Sequence, residues 1–177
     1  YACALELLRF AQRYAEAQSR SGLALGVTRI GVHAGEVIVG NFGGAAIFDY
    51  RALGDPVNVA SRLESLNKQL GTQACVSESI RAACPDAVTR PIGRMVLVGR
   101  TSALLVHEPL VAEDGLPAPS RDQAYEAAYE LMARDDPAAV AAFEQLAAER
   151  PGDALVAWQL RRLRGGWTGD RIVLDEK

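Results

Sequence analysis

Cysteine and histidine are scarce in this chain, and each scarcity closes off a class of chemistry. Its three cysteines, Cys3, Cys75 and Cys84, have no C-x-x-C spacing and leave an odd count. That pattern argues against a disulfide framework and for reduced, mostly buried thiols in the cytoplasm. Two histidines are too few for a metal cluster, and His33, inside a strand pattern, reads as a structural hydrogen-bonding group. No apolar run is long enough for a signal peptide or a membrane span, so an anchor would have to lie upstream. Basic charge is not in excess: the net charge is −3 and the pI about 5.5, which gives no support for nucleic-acid binding. The cluster Arg161, Arg162 and Arg164 reads as a solvated helix face. A glycine-rich turn follows residue 39, but no Gly-Lys-Ser/Thr comes after it, which excludes a P-loop. The G-x-G-x-x-G spacing of a dinucleotide site is missing as well.

What is present is enough apolar content, 49% of 177 residues, for one core and a small appendage. Residues 1–18 are apolar at helical spacing through Leu5, Leu8, Gln12 and Ala15. Ile30 and Val32, then Val37 and Val39, predict two short strands about Gly35. Asp55 is a good N-cap and Pro56 suits the first helical position. Val59, Leu63, Leu66 and Leu70 then recur as a core-facing stripe, and Gly71 stops the helix. Asn58 and Arg62 lie one turn apart on another face of it. A neutral amide beside a fixed cation, near the positive end of a helix, is suited to an anionic ligand. Further on, 73–76 predicts a strand, Ser77 a cap for a helix over 78–84, and 88–98 with 104–109 a long hairpin. The order fits an α/β (α+β) sandwich: a mixed, mainly antiparallel sheet covered by helices on one face.

Residues 113–120, with Asp114-Gly115 and two prolines, read as a linker. Beyond it lies an Ala-rich, all-helical tail over 121–177. Ser120 is expected to cap its first helix, Pro137 to open the second and Asp153 to cap the third. Ala139, Ala142, Phe143, Leu146 and Pro151 resemble a tetratricopeptide-type helix pair, with too few units for a free-standing solenoid. Packing of this tail back on the preceding part of the chain is favoured over a partner-binding scaffold.

The segments R-I-G-V-H-A-G-E-V at 29–37, G-N-F-G at 40–43, D-Y at 49–50 and G-D-P-V-N-V-A-S-R-L-E at 54–64 together resemble the class III adenylate/guanylate cyclase catalytic domain. The likeness runs from about Cys3 to Leu110 and implies a ferredoxin-like cyclase sheet over 1–112. It also implies an enzyme that turns ATP into cyclic AMP and pyrophosphate, with GTP as the other candidate substrate. In such enzymes Asn58 would orient the ribose and Arg62 would stabilise the α-phosphoryl group. Arg51 and Leu53 would stand near the base, and Arg100 near the triphosphate, where relatives often carry a lysine at the position of Val98. Two Mg2+ or Mn2+ ions are expected on a pair of aspartates upstream of residue 1, so no metal ligand is assigned within the chain. A homodimer with shared sites is the implied assembly. A non-catalytic cyclase-like regulatory subunit and a helical interaction module are the alternatives.

Overall fold

The computed structural model describes residues 1–43, 48–97, 102–111 and 119–173. Helix α1 (Ala2–Arg20) leads into strand β1 (Ile30–Val32). A hairpin of β2 (Ile38–Asn41) and β3 (Tyr50–Leu53) follows, then helix α2 (Asp55–Leu70). Strand β4 (Ala74–Ser77), helix α3 (Glu78–Ala83), and strands β5 (Thr89–Val96) and β6 (Leu104–Pro109) complete the first part. Helices α4 (Gln123–Ala133), α5 (Ala138–Glu149) and α6 (Ala154–Arg164) and strand β7 (Arg171–Val173) form the second.

Among the described residues, five strands make one sheet in the order β1-β4-β6-β5-β7, and β2 pairs with β3 in a separate two-stranded sheet. The sheet is mixed, as expected. The β4–β6 and β5–β6 pairs are antiparallel, while β1–β4 and β5–β7 are parallel, so antiparallel pairing does not dominate it. The tail departs from the all-helical expectation at its end. After α6 the chain turns at Gly169 and lays Arg171–Val173 beside Arg94–Val96 as an edge strand. Ile172, buried between two exposed neighbours, supplies the apolar anchor for that strand.

One apolar core runs through both parts. Val59, Leu63, Leu66 and Leu70 of α2 join Ile92 and Met95 of β5 and Val106 of β6. They belong to one cluster with Tyr125, Met132, Phe143, Leu155 and Ile172 of the tail. The tail therefore packs on its own sheet, the arrangement favoured by its composition. Helix α1 is less committed: Leu8 is its one fully buried residue, while Leu7, Phe10 and Tyr14 lie exposed, with the Phe10 and Tyr14 rings stacked at 5.9 Å.

Polar groups fix the junction. Arg90 of β5 is buried and bonds Glu108 on β6 at 2.7 Å and both carboxylate oxygens of Asp153 at 2.5 and 2.8 Å. Its guanidinium also sits 4.9 Å from the Tyr125 ring centre. Asp153 caps α6 by accepting from the Val156 amide at 3.1 Å, as the sequence suggests. The cap of α4 is Asp122, not Ser120. Its carboxylate accepts the Tyr125 amide at 3.2 Å and is gripped by Arg150. Burial opposes ionisation at Asp153, but the bonds from Arg90 outweigh it and hold that carboxyl below its ordinary range. At Glu108 burial wins over the same arginine, and the carboxyl is pushed up.

Removing one member of a buried ion pair strands the other in a poorly solvated place. Asp153→Ala is expected to lower the unfolding free energy by about 3–5 kcal/mol. Glu144→Ala, which loses only the exposed contact with Arg164, should cost less than about 1 kcal/mol. Urea titration of the two variants checks the difference, and equal small losses would remove Arg90 as the joint.

Candidate functional site

The hairpin β2–β3 hands directly into α2, and two glycines make that handover work. Gly54 is the actual N-cap, at φ 149° and ψ 164°, a conformation L residues avoid. Asp55, expected as the cap, instead occupies the first turn, where its carboxylate meets the positive end of the helix. Gly31 of β1 lies directly under α2. A methyl group there would come within 2.8 Å of the Leu63 carbonyl carbon, and closer still to the Ala60 oxygen and Glu64 nitrogen. Helix and strand therefore touch backbone to backbone. Gly71 ends the helix in the left-handed conformation.

This contact sets the height of α2 over β1. Val59, Leu63, Leu66 and Leu70 point into the core, Asn58 is exposed and Arg62 half-buried. Asn58 and Arg62 thus share the upper face of the helix, one turn apart, as their spacing predicts. The remaining expected residues gather less tightly. Arg51 stands on β3 and forms an ion pair with Asp49 on the same hairpin. Leu53 ends β3 beside Gly54 and lines an open hollow of about 570 Å³ with Glu36, Val37, Ile38 and Gly54. Arg100 and Val98 lie outside the described residues.

A residue that sequence reasoning passed over turns out to organise the site from below. Asn67, fully buried on α2, donates its side-chain amide to the Ile30 carbonyl of β1 at 3.1 Å and to the Leu63 and Glu64 carbonyls. Its side-chain oxygen accepts from the Thr72 hydroxyl at 2.8 Å and the Cys75 thiol at 3.3 Å. Burial pushes the Cys75 thiol up to about 12, so it stays a donor. The signal available in sequence was a lone Asn beside the apolar stripe of α2. Of the other cysteines, Cys84 is half-buried and Cys3 is exposed rather than buried; none of the three is bridged.

A second groove, of about 580 Å³, lies between α3, β5, β6 and α4. It holds none of the expected site residues. Its polar wall is His107, whose Nε2 meets Glu78 at 2.6 Å, and Glu78 is gripped by Arg81 and held down to about 2. Burial pushes His107 down, against the opposing pull of Glu78. The paired charges make this a structural cluster, and the open hollow beside Gly54 is the better candidate because it adjoins α2. Among the described residues, no three His, Cys, Asp or Glu side chains gather to hold a metal ion. No helix among them is long and apolar enough to cross a membrane.

Residues 1–102 match the family described as adenylate and guanylate cyclase catalytic domain. The chain is 42% identical over 107 residues to "Adenylate cyclase 1" of Rhizobium meliloti (strain 1021), covering 60% of this chain and 16% of that protein. It is 37% identical over 93 residues to "Adenylate cyclase" of Anabaena cylindrica, covering 50% of this chain and 18% of that protein. The chain thus spans less than a fifth of the length of either relative. Among solved structures, the adenylyl cyclase CyaB from P. aeruginosa superposes with a TM-score of 0.54 at 22% identity, over 64% of this chain and 58% of that one. At that identity the likeness establishes the fold.

The Gly31 contact has a direct test. Gly31→Ala must push α2 off β1, because the obstructing atoms are backbone. The expected loss is at or above about 3 kcal/mol, the upper end for overpacking, read by thermal unfolding. A loss below about 1 kcal/mol would mean that helix and strand are not in contact there.

Proposed function

The chain belongs to the adenylate and guanylate cyclase catalytic domain family, and from that premise we propose that it forms part of an enzyme converting ATP to cyclic AMP and pyrophosphate. The observation that carries the reading is the presentation of Asn58 and Arg62 on the accessible face of a helix rooted in the sheet. The adenylate cyclase relatives favour ATP over GTP. In this reaction the ribose 3′-oxygen forms a bond to the α-phosphorus, the bond to the bridging oxygen of pyrophosphate breaks, and the 3′-hydroxyl proton leaves. Asn58 holds the ribose for in-line attack. The Arg62 guanidinium offers paired N–H donors to the α-phosphoryl oxygens as charge builds on them. Leu53 faces the purine, and Arg51, drawn aside by Asp49, leaves room for it. Arg100 is proposed for the triphosphate.

A pair of Mg2+ or Mn2+ ions held by two aspartates would supply charge neutralisation in this chemistry; no metal ligand is assigned among the described residues, and the roles given to Asn58 and Arg62 do not depend on one. The three unbridged thiols favour a reducing compartment, the cytoplasm.

Homodimerisation is proposed from the surface around the site. Among the described residues the β2–β3 hairpin pairs with no other strand yet exposes Ile38 (72%), Val39, Phe42, Phe48 (79%) and Tyr50, with Phe48 stacked on Tyr50. Contiguous apolar surface of this kind marks an interface, and the hairpin runs directly into α2 at Gly54. We assign 1–112 to the catalytic domain, 113–120 to a linker and 121–177 to the tail. The tetratricopeptide-like character of α5 and α6 is kept as a resemblance. Their apolar faces are spent against the sheet and each other, which favours a brace over a peptide-binding scaffold.

In the full-length protein, Asn58→Ala and Arg62→Ala should each cost about a hundredfold or more in kcat while sedimenting as the wild type. Retained cyclic AMP synthesis in both variants would defeat the proposal. Separately, Ile38→Asp should convert the dimer to monomer in analytical ultracentrifugation at micromolar concentration. A dimer of unchanged strength would move the interface elsewhere.

A further inference from the structure

We infer that Asn67 is a positioning residue for the Asn58/Arg62 pair, setting where along β1 and at what roll α2 presents the two side chains. This rests on the cyclase reading above. Asn67 lies on the same helix, five residues beyond Arg62, about 7.5 Å along its axis. It makes no contact with the exposed face and acts only through the helix.

Apolar packing alone leaves α2 some freedom. Val59, Leu63, Leu66 and Leu70 meet the core through contacts that lose little when a helix slides or rolls by a fraction of an ångström, because dispersion is non-directional. Hydrogen bonds are directional, and Asn67 has its whole capacity engaged. Its amide ties α2 to the Ile30 carbonyl at 3.1 Å, one residue before Gly31, where helix and strand backbones touch. Its oxygen ties α2 to Thr72, in the turn after the helix, and to Cys75 on β4. The backbone amides of Gly71 and Thr72 close on the Asn67 carbonyl at 2.9 and 3.1 Å. One buried side chain thus fastens the helix to both parallel strands, β1 and β4. With Gly31 setting the height and Asn67 the slide and roll, Asn58 and Arg62 are held at a fixed place above the sheet.

A displacement of the order of 1 Å in a group aligned with a reacting centre can cost about a hundredfold in rate. Loss of Asn67 should therefore be read in turnover more than in substrate binding. In the full-length protein, with rates normalised to the folded fraction, Asn67→Leu is expected to lower kcat at least about tenfold. The KM for ATP should stay within about threefold. Thr72→Val, a smaller change, removes the hydroxyl that orients the Asn67 oxygen and should lower normalised kcat by about two- to fivefold with KM unmoved. Leu146→Ala, a destabilising change buried in α5, should leave normalised kcat within about twofold, which separates positioning from stability.

The coupling is read from the double variant Asn58→Ala/Asn67→Leu. Adding Asn67→Leu to Asn58→Ala should cost less than Asn67→Leu costs on its own, because the part of its effect that runs through Asn58 is already gone and only the part through Arg62 is left. Losses that multiply would overturn the inference. Normal kcat in both Asn67→Leu and Thr72→Val, with Asn58→Ala crippled, would overturn it and leave the cyclase reading standing. Normal kcat in Asn58→Ala and Arg62→Ala alike would remove both.

Discussion

A positive charge buried under the junction of sheet and tail is the constraint on which the rest of this molecule depends. Arg90 is almost fully buried, and the cost of taking a guanidinium out of water is recovered only when several acceptors surround it. Glu108 comes from the neighbouring strand, Asp153 from the cap of α6, and the Tyr125 ring from α4. None of these partners is close in sequence. The sheet therefore cannot settle Arg90 without the tail, and helices α4 and α6 start at carboxylates that Arg150 and Arg90 hold. Gln159 reinforces the joint by donating to the Ile92 carbonyl at 2.6 Å, and Tyr125 by donating to the Pro91 carbonyl at 2.9 Å. What composition suggests is an appendage is, in energetic terms, part of the same cooperative unit.

The same logic operates at the other end of the core with the signs removed. Between α2 and β1 there is no charge to neutralise. There is a close backbone approach at Gly31 and a fully satisfied amide at Asn67. Both are intolerant in the way that matters for chemistry: a methyl has nowhere to go, and a half-satisfied polar network is worse than none. The accessible face of α2 inherits that rigidity. Asn58 and Arg62 are presented from a helix whose underside is over-determined, the arrangement that transition-state stabilisation by fixed donors requires. The β2–β3 hairpin that runs into α2 is the opposite case, with Ile38, Phe48 and Tyr50 left exposed.

Much of this was legible in the residues. The 3.6-residue stripe of α2 and the placement of Asn58 and Arg62 on another face follow from periodicity. So do the β5–β6 hairpin and the Asp153 cap. The misses are of two kinds. Caps went wrong by one or two residues: Asp55 gave way to Gly54, and Ser120 to Asp122. In each case the chain enters the helix at a point chosen by tertiary contacts, the hairpin exit at Gly54 and the Arg150 grip on Asp122. Strand β7 was missed because three residues with one apolar anchor carry no periodic signal. Their pairing exists only because the edge of β5 is near. Asn67 was invisible for a related reason, since its partners Ile30, Thr72 and Cys75 become neighbours only in the fold.

The sequence by itself determined the helical segments and the strands other than β3 and β7, the family, and the pair of side chains proposed for the chemistry. These depend on local periodicity, on turn residues and on a run of matched residues over a short span. Only the tertiary structure decided that the tail completes the sheet, that Arg90 joins the two halves, and that α2 is seated on β1 through Gly31 and Asn67. Those outcomes rest on desolvated charges and directional hydrogen bonds between residues far apart in the chain. Their energies are set by burial, which no local stretch of sequence contains.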